Sequence, residues 1–129
     1  MTIKRFEDLE IWQKARELCK KIRGIADTTS LGKDYSMKDQ ILRSSGSVMD
    51  NIAEGYERDG KKEFLNFLYI AKASLGETRS QVYRAFDAKH FDEKTCSELL
   101  DDCLNLSAKI AHFIQYLAKS EYTGTKRKG

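Results

Sequence analysis

The sequence predicts an all-α fold, an antiparallel up-down-up-down four-helix bundle, on three observations. Proline is absent and glycine numbers only 8 in 129 residues, which disfavours a β-sandwich with its many turns. Apolar residues make up 40% and charged residues 33%, so each helix can carry one apolar and one charged side. Apolar positions recur every three or four residues in four segments of about 20 residues. We therefore expect one domain over residues 1–120, followed by a disordered basic tail at 121–129.

The first two helices are predicted from their apolar stripes and from the residues between them. Helix one should cover about 8–26, where apolar residues recur every three or four positions: Leu9, Trp12, Ala15, Cys19, Ile22 and Ala26. A short polar connection containing Gly32 follows, and Asp34 or Ser36 is expected to cap the next helix. Helix two then covers about 36–57. It should end near Gly55 to Gly60, because glycine can adopt the left-handed conformation at a helix end.

The last two helices follow the same logic. Asp59 is predicted to cap helix three, which should end before Lys89, and Asp92 to cap helix four, which should reach about Lys119. Eight apolar residues on the predicted inner faces are expected in or beside the core: Trp12, Ile41, Val48, Phe64, Leu68, Leu99, Ile110 and Phe113.

The segment from Gln40 to Gly55 places small and polar residues where the apolar stripe passes. Glycine and serine weaken a helix, so their presence there indicates that something approaches this helix closely. We interpret the segment as a polar layer inside the bundle or at a subunit interface, in preference to a catalytic face. The proposed layer, including its neighbours on helix three, consists of Arg43, Ser44, Ser47, Asn51, Glu54, Ser74 and Glu77.

A hairpin of helices two and three that turns near Asp59 sets a register. Residues whose numbers sum to about 118 should then lie level, which places Ser47 beside Ala71. Arg43 should reach Glu77 and form a partly buried ion pair.

No catalytic or metal-binding constellation stands out. A di-iron bundle needs two Glu-x-x-His pairs, and this chain offers only Asp87-x-x-His90. Cys96 and Cys103 lie seven residues apart on a core stripe and His112 is isolated, so packing explains them better than zinc does. We expect no enzyme activity, no metal and no cofactor. The odd cysteine count, the lack of a signal peptide and the lack of a long apolar run favour a cytoplasmic protein without membrane contact.

Three ordered motifs resemble one known family. They are the stretches Phe6–Ala15, Gln40–Gly55 with its Asn-Ile-Ala-Glu-Gly ending, and Lys62–Glu77. Together they resemble the four-helix bundle proteins encoded within 23S ribosomal RNA intervening sequences, over about residues 4–118. The resemblance implies a small bacterial helical bundle, often a homopentamer. That family is similar to the accessory variability proteins of diversity-generating retroelements, which associate with a reverse transcriptase and nucleic acid.

The residues themselves suggest two classes of partner. The formal net charge is only +3, but basic residues repeat at helical spacing on helices one and three and again in the tail. We expect these to bind phosphates of RNA or a ribonucleoprotein: Arg16, Lys20, Arg23, Lys72, Arg79, Lys126, Arg127 and Lys128. The alternative is a scaffold that binds a protein such as a reverse transcriptase through Tyr69, Tyr83 and Phe86. The apolar residues of helix three extend beyond one face, so we also expect a homo-oligomer, by resemblance a ring of five.

Overall fold

A computed structural model describes residues 3–121, and within that range the chain forms four α-helices and no strand. The helices are α1 (Glu10–Thr28), α2 (Tyr35–Glu57), α3 (Lys61–Asp87) and α4 (Glu93–Lys119). The prediction of an all-α four-helix bundle is confirmed. The predicted tail lies outside the described residues from position 122 onward.

Consecutive helices lie side by side and run antiparallel. Among neighbouring helices, α2 and α3 make the most extensive contacts and α1 and α4 the sparsest, while α1 and α3 lie diagonally across the bundle. Between α2 and α3, Ser47 meets Ser74 and the earlier Gln40 meets the later Arg84, which is antiparallel order. Between α1 and α4, Lys21 meets Asp102 and the earlier Glu10 meets the later Lys109, which is again antiparallel. The basic residues predicted on α1 and α3 are therefore carried by diagonally opposed helices.

The core forms where the four apolar stripes meet. Six of the eight expected core residues are at most 2% exposed, and Trp12 and Phe113 pack half-buried against them. The six are Ile41, Val48, Phe64, Leu68, Leu99 and Ile110. The predicted core is confirmed.

Two of the predicted helix caps are present. Asp34 Oδ1 accepts the amide hydrogen of Met37 at 3.3 Å, and Asp92 Oδ1 accepts that of Thr95 at 2.8 Å. Each carboxylate satisfies a backbone donor that the first helical turn leaves without a partner.

The starts of α1 and α3 differ from the prediction. The short 3₁₀-helix Phe6–Asp8 precedes α1, and the Asp8 carboxylate accepts the Lys4 amide hydrogen at 3.2 Å, so α1 begins at Glu10. Asp59 does not cap α3. It is buried with a φ of 60°, the left-handed conformation that reverses the chain, and Gly60 takes the cap position.

Candidate nucleic-acid interface

Arg16, Lys20 and Arg23 form an exposed row along α1, which we call the α1 row. Their spacing of four and three residues places them on one helical face. In the part of the chain that the structure describes, no carboxylate lies within ion-pair distance of any of the three. Their charges remain available to a ligand in solution.

Arg16 is held by aromatic neighbours. Its guanidinium carbon lies 5.7 Å from the centre of the Trp12 ring, and Phe6 meets the same ring edge-on at 5.1 Å. Stacking on an aromatic face leaves the guanidinium hydrogens free to donate to an anion. This arrangement restricts the orientation of one member of the α1 row before any ligand arrives.

The opposite side of α1 is electrically neutralised. Lys14 pairs with Glu17 at 3.5 Å, and Lys21 reaches Asp102 of α4 at 2.8 Å. The unpaired basic charge of α1 is therefore confined to its outer side near α2.

Lys72 and Arg79 do not join the α1 row. Both are half-buried on α3, and Arg79 lies on the side of α3 next to α4, where its charge acts on the Cys103 thiol. Because α1 and α3 are diagonal, the structure separates the predicted basic residues into two surfaces. The other predicted members, Lys126, Arg127 and Lys128, lie outside the described residues.

A buried hydrogen-bonded network joins α2 to α3. The Ser44 hydroxyl donates to Gln81 Oε1 at 2.5 Å and accepts from the Thr78 hydroxyl at 2.8 Å, and all three residues are at most 5% exposed. Sequence reasoning missed Gln81. The available signal was its place on the inward stripe, three residues after Thr78 and four before Ala85.

A second, half-buried set of contacts continues this layer toward the surface. The hydroxyls of Ser47 and Ser74 lie 2.9 Å apart, and Asn51 Nδ2 donates to Ser47 Oγ at 2.8 Å. Ser47 therefore faces Ser74, three residues along α3 from the expected Ala71. The predicted register was wrong by about one helical turn.

The expected ion pair between Arg43 and Glu77 is also wrong. Arg43 Nε lies 3.2 Å from Asp39 on its own helix, with 80% of the Arg43 side chain exposed, because its position on α2 directs it outward. Glu77 accepts instead from Gln81 Nε2 at 3.4 Å. Glu54, another proposed member of the layer, pairs with Arg58 at the surface at 3.1 Å.

A polar cluster ties together the two connections at one end of the bundle. His90 Nε2 lies 2.8 Å from Asp34 Oδ2, and His90 Nδ1 lies 2.8 Å from Ser30 Oγ. The hydrogen bond from His90, followed by that from the Met37 amide, lowers the pKa of Asp34. Because Asp34 also caps α2, the cluster joins the start of α2 to the corner before α4.

Cys96 and Cys103 are core residues, and Cys19 is half-buried. Cys103 is 1% exposed, and burial raises the pKa of its thiol to about 11. Burial also raises the pKa values of Cys19 and Cys96. Among residues 3–121, no group of three or more His, Cys, Asp or Glu side chains is placed to hold a metal ion.

Comparison with known proteins decides the family. The family model of the 23S rRNA-intervening sequence proteins matches residues 7–112. The chain belongs to this family. The three sequence motifs that suggested it lie within or at the edge of the matched range, and two of them lie on α2 and α3, the helices that build the polar layer.

A solved structure shows the same fold. It is a protein of unknown function from the S23 ribosomal protein family of Bacteroides thetaiotaomicron, with 20% sequence identity and a TM-score of 0.74. The alignment covers 81% of this chain and 98% of that one. No curated protein matches the sequence. The helices of residues 3–121 include none with the length and apolar character needed to cross a bilayer.

Proposed function

We propose that this protein is a non-enzymatic bundle that binds RNA, alone or in a ribonucleoprotein, through phosphate groups contacted by the α1 row. The observation that carries the proposal is the run of three exposed cations on one helical face, none of which forms an ion pair with another residue between positions 3 and 121. The family's name, which ties its members to an intervening sequence of 23S ribosomal RNA, adds support.

Contacts of this kind are dominated by charge. Each phosphate neutralised by a lysine or arginine releases bound counterions, so affinity falls steeply with salt. A helical face carrying Arg16, Lys20 and Arg23 offers point charges and one oriented guanidinium, with no base-reading loop among them. We therefore expect the α1 row to bind RNA molecules of unrelated sequence with similar affinity.

The test is a triple substitution, Arg16→Gln, Lys20→Gln and Arg23→Gln, measured by RNA retention across a salt series. Losing three phosphate contacts should reduce the slope of log affinity against log salt by about 2 to 3. The matched control replaces three exposed lysines that lie on other helices, Lys62, Lys94 and Lys119, with Gln and so removes the same charge. Equal weakening in both triple variants would contradict a localised site and leave only a net-charge effect.

The single tryptophan supplies a second readout. Trp12 lies beneath Arg16, so RNA bound at the α1 row should change its fluorescence, and the change should disappear in the triple Gln variant. Unchanged Trp12 fluorescence at saturating RNA would place the binding site elsewhere.

We also propose that the bundle self-associates, with the ring of five that the resemblance implies as the expected assembly. Ile70 is 47% exposed on α3, and an exposed aliphatic side chain gains by being covered. Light scattering that returns the monomer mass of 14.8 kDa at micromolar concentration would refute this part of the proposal. We further propose that the protein resides in a reducing cytoplasm, where the three cysteines stay as free thiols.

A protein scaffold, for example for a reverse transcriptase, is the alternative function. It is favoured by the exposed rings of Tyr69 and Tyr83, 58% and 52% exposed, with Phe86 half-buried near them in sequence. Salt-insensitive capture of a purified polymerase, together with no RNA retention at about 50 mM salt, would select this alternative.

A further inference from the structure

One face of α3 carries two basic residues between two tyrosines. Tyr69, Lys72, Gly76, Arg79 and Tyr83 follow one another at spacings of three, four, three and four, which places them in one narrow stripe. The two tyrosines are about 21 Å apart along the helix, from 14 residues at about 1.5 Å each. We call this set the Tyr69–Tyr83 stripe.

The stripe is accessible along its length. The tyrosines are 58% and 52% exposed, and an added Cβ at Gly76 would meet no atom within 4 Å. Lys72 and Arg79 are half-buried, and no carboxylate in residues 3–121 lies within ion-pair distance of either. Two rings and two unpaired cations thus share one open surface.

We infer that the Tyr69–Tyr83 stripe binds single-stranded RNA, with unpaired bases stacked on the tyrosine rings and phosphates bound by Lys72 and Arg79. The inference rests on the proposed RNA binding and assigns it a second surface, diagonal to the α1 row. Stacking on aromatic rings combined with a cationic track is how proteins hold single strands without reading sequence.

The cations favour RNA over a protein occupant for this stripe. A partner helix packed across it would cover Lys72 and Arg79 and remove their charges from water, and the cores of protein interfaces are depleted in lysine. Bound RNA would instead place phosphates beside Lys72 and Arg79 and so pair with both charges. The tyrosines in turn favour single strands, because bases inside a duplex have no free face to stack on a ring.

The experiment compares binding of a single-stranded oligonucleotide of about 12 nucleotides, carrying 2-aminopurine, with binding of its duplex. Tyr69→Ser with Tyr83→Ser should weaken single-strand binding by about 5-fold or more per tyrosine and abolish the quenching of 2-aminopurine. Duplex binding should stay unchanged. Tyr69→Phe with Tyr83→Phe keeps both rings and should retain wild-type affinity and quenching.

The matched control is Tyr35→Ser with Tyr116→Ser. These tyrosines are 76% and 69% exposed on α2 and α4 and lie outside the stripe. Equal loss in the control, or equal loss of single-strand and duplex binding, overturns the inference. A change in oligomeric mass of the Tyr69/Tyr83 serine variant also overturns it, because the stripe would then be a contact between copies.

The same binding series separates this inference from the proposed function. If the triple Gln variant of the α1 row binds both RNAs like wild type while the serine variant loses the single strand, the α1 row is refuted and the stripe stands. If the serine variant binds normally while the triple Gln variant is weakened, the stripe is refuted and the α1 row stands. Wild-type protein that binds neither RNA at about 50 mM salt refutes both.

Discussion

The α2–α3 side and the α1–α4 side of the bundle are held together by different means. Between α2 and α3 the backbones approach closely at Gly55, where an added Cβ would lie 2.7 Å from Phe67 Cβ, and serine and threonine hydroxyls bond across the gap. Between α1 and α4 there is a groove instead, crossed by Lys21–Asp102 at 2.8 Å and Lys109–Glu10 at 3.3 Å.

The difference follows from side-chain length. Small residues let two helices touch, and a buried hydroxyl then finds its partner on the facing helix, where a lost hydrogen bond is costly. Long charged side chains span a wider gap and keep their charged ends in water, where an ion pair contributes little. We therefore expect stability to depend strongly on the α2–α3 contact and weakly on the α1–α4 contact.

The largest expected effect is that of Gly55→Leu. The leucine would collide with Phe67 and Phe64, and the overpacked helix pair should lose about 3 kcal/mol in the free energy of unfolding measured in urea. Gly55→Ala is the milder variant, in which better helix propensity offsets part of the clash.

The matched control is Gly46→Leu on the same helix. An added Cβ at Gly46 meets nothing within 4 Å, so the same substitution should raise the free energy of unfolding by about 0.5–1 kcal/mol through helix propensity. Similar destabilisation at both glycines would show that α2 and α3 are not in close contact at Gly55.

Ser44→Ala should have the next largest effect. It removes the donor to Gln81 Oε1 from a buried site and should lower the free energy of unfolding by about 2 kcal/mol. Ser45 is the control, since it is equally buried but its hydroxyl bonds to the Ile41 carbonyl of its own helix. If Ser45→Ala costs as much as Ser44→Ala, the hydrogen bond across α2–α3 has no special weight.

A smaller, pH-dependent effect is expected at the end of the bundle, where the Asp34–His90 contact links the two sides. The pKa of Asp34 lies below 3.8 in the folded protein. The ionised carboxylate therefore makes its full contribution to the free energy of unfolding above about pH 3.8, and this contribution is lost as pH falls through the lowered pKa. His90→Ala should raise the Asp34 pKa toward 3.8, as followed by NMR titration, and reduce the pH dependence of unfolding below about pH 4.

This expectation has its own check. Asp92 also has a lowered pKa, caused mainly by hydrogen bonding from Thr95, and its cap has no histidine. His90→Ala should leave the Asp92 titration unchanged. An unchanged Asp34 titration in the same variant would mean that the Met37 amide alone accounts for the lowered pKa.

The smallest expected effect is that of the ion pair between Lys21 and Asp102. Both side chains are about 40% exposed, so a double-mutant cycle with Lys21→Met and Asp102→Leu should give a coupling of about 0.2–1 kcal/mol. The coupling should shrink further in about 1 M NaCl, where screening is nearly complete. A coupling near 3 kcal/mol that persists in salt would show that the α1–α4 ion pair stabilises the bundle as much as the α2–α3 contacts do, and would contradict the expected difference.

Local patterns predicted the elements well, and long-range register poorly. The apolar residues of each helix, such as Ile41 and Val48 on α2 and Phe64 on α3, mark its inward face without reference to any other helix. The Asp34 and Asp92 caps act within one turn. The pairing of α2 with α3 depends on how three connecting residues reverse the chain. Asp59 takes the left-handed conformation in this reversal, and the helices then pair so that Ser47 lies opposite Ser74 in place of the expected Ala71.

For the candidate site, the sequence by itself determined which residues carry charge and which helical face each occupies, because helix geometry alone relates residues three and four positions apart. It also determined the fold and the family. Only the tertiary structure decided that the α1 row lies diagonal to Lys72 and Arg79, that Gln81 completes the buried network and that His90 meets Asp34. The Ser44–Gln81 and Asp34–His90 contacts join residues 37 and 56 positions apart, and their geometry is set when whole helices pack against each other.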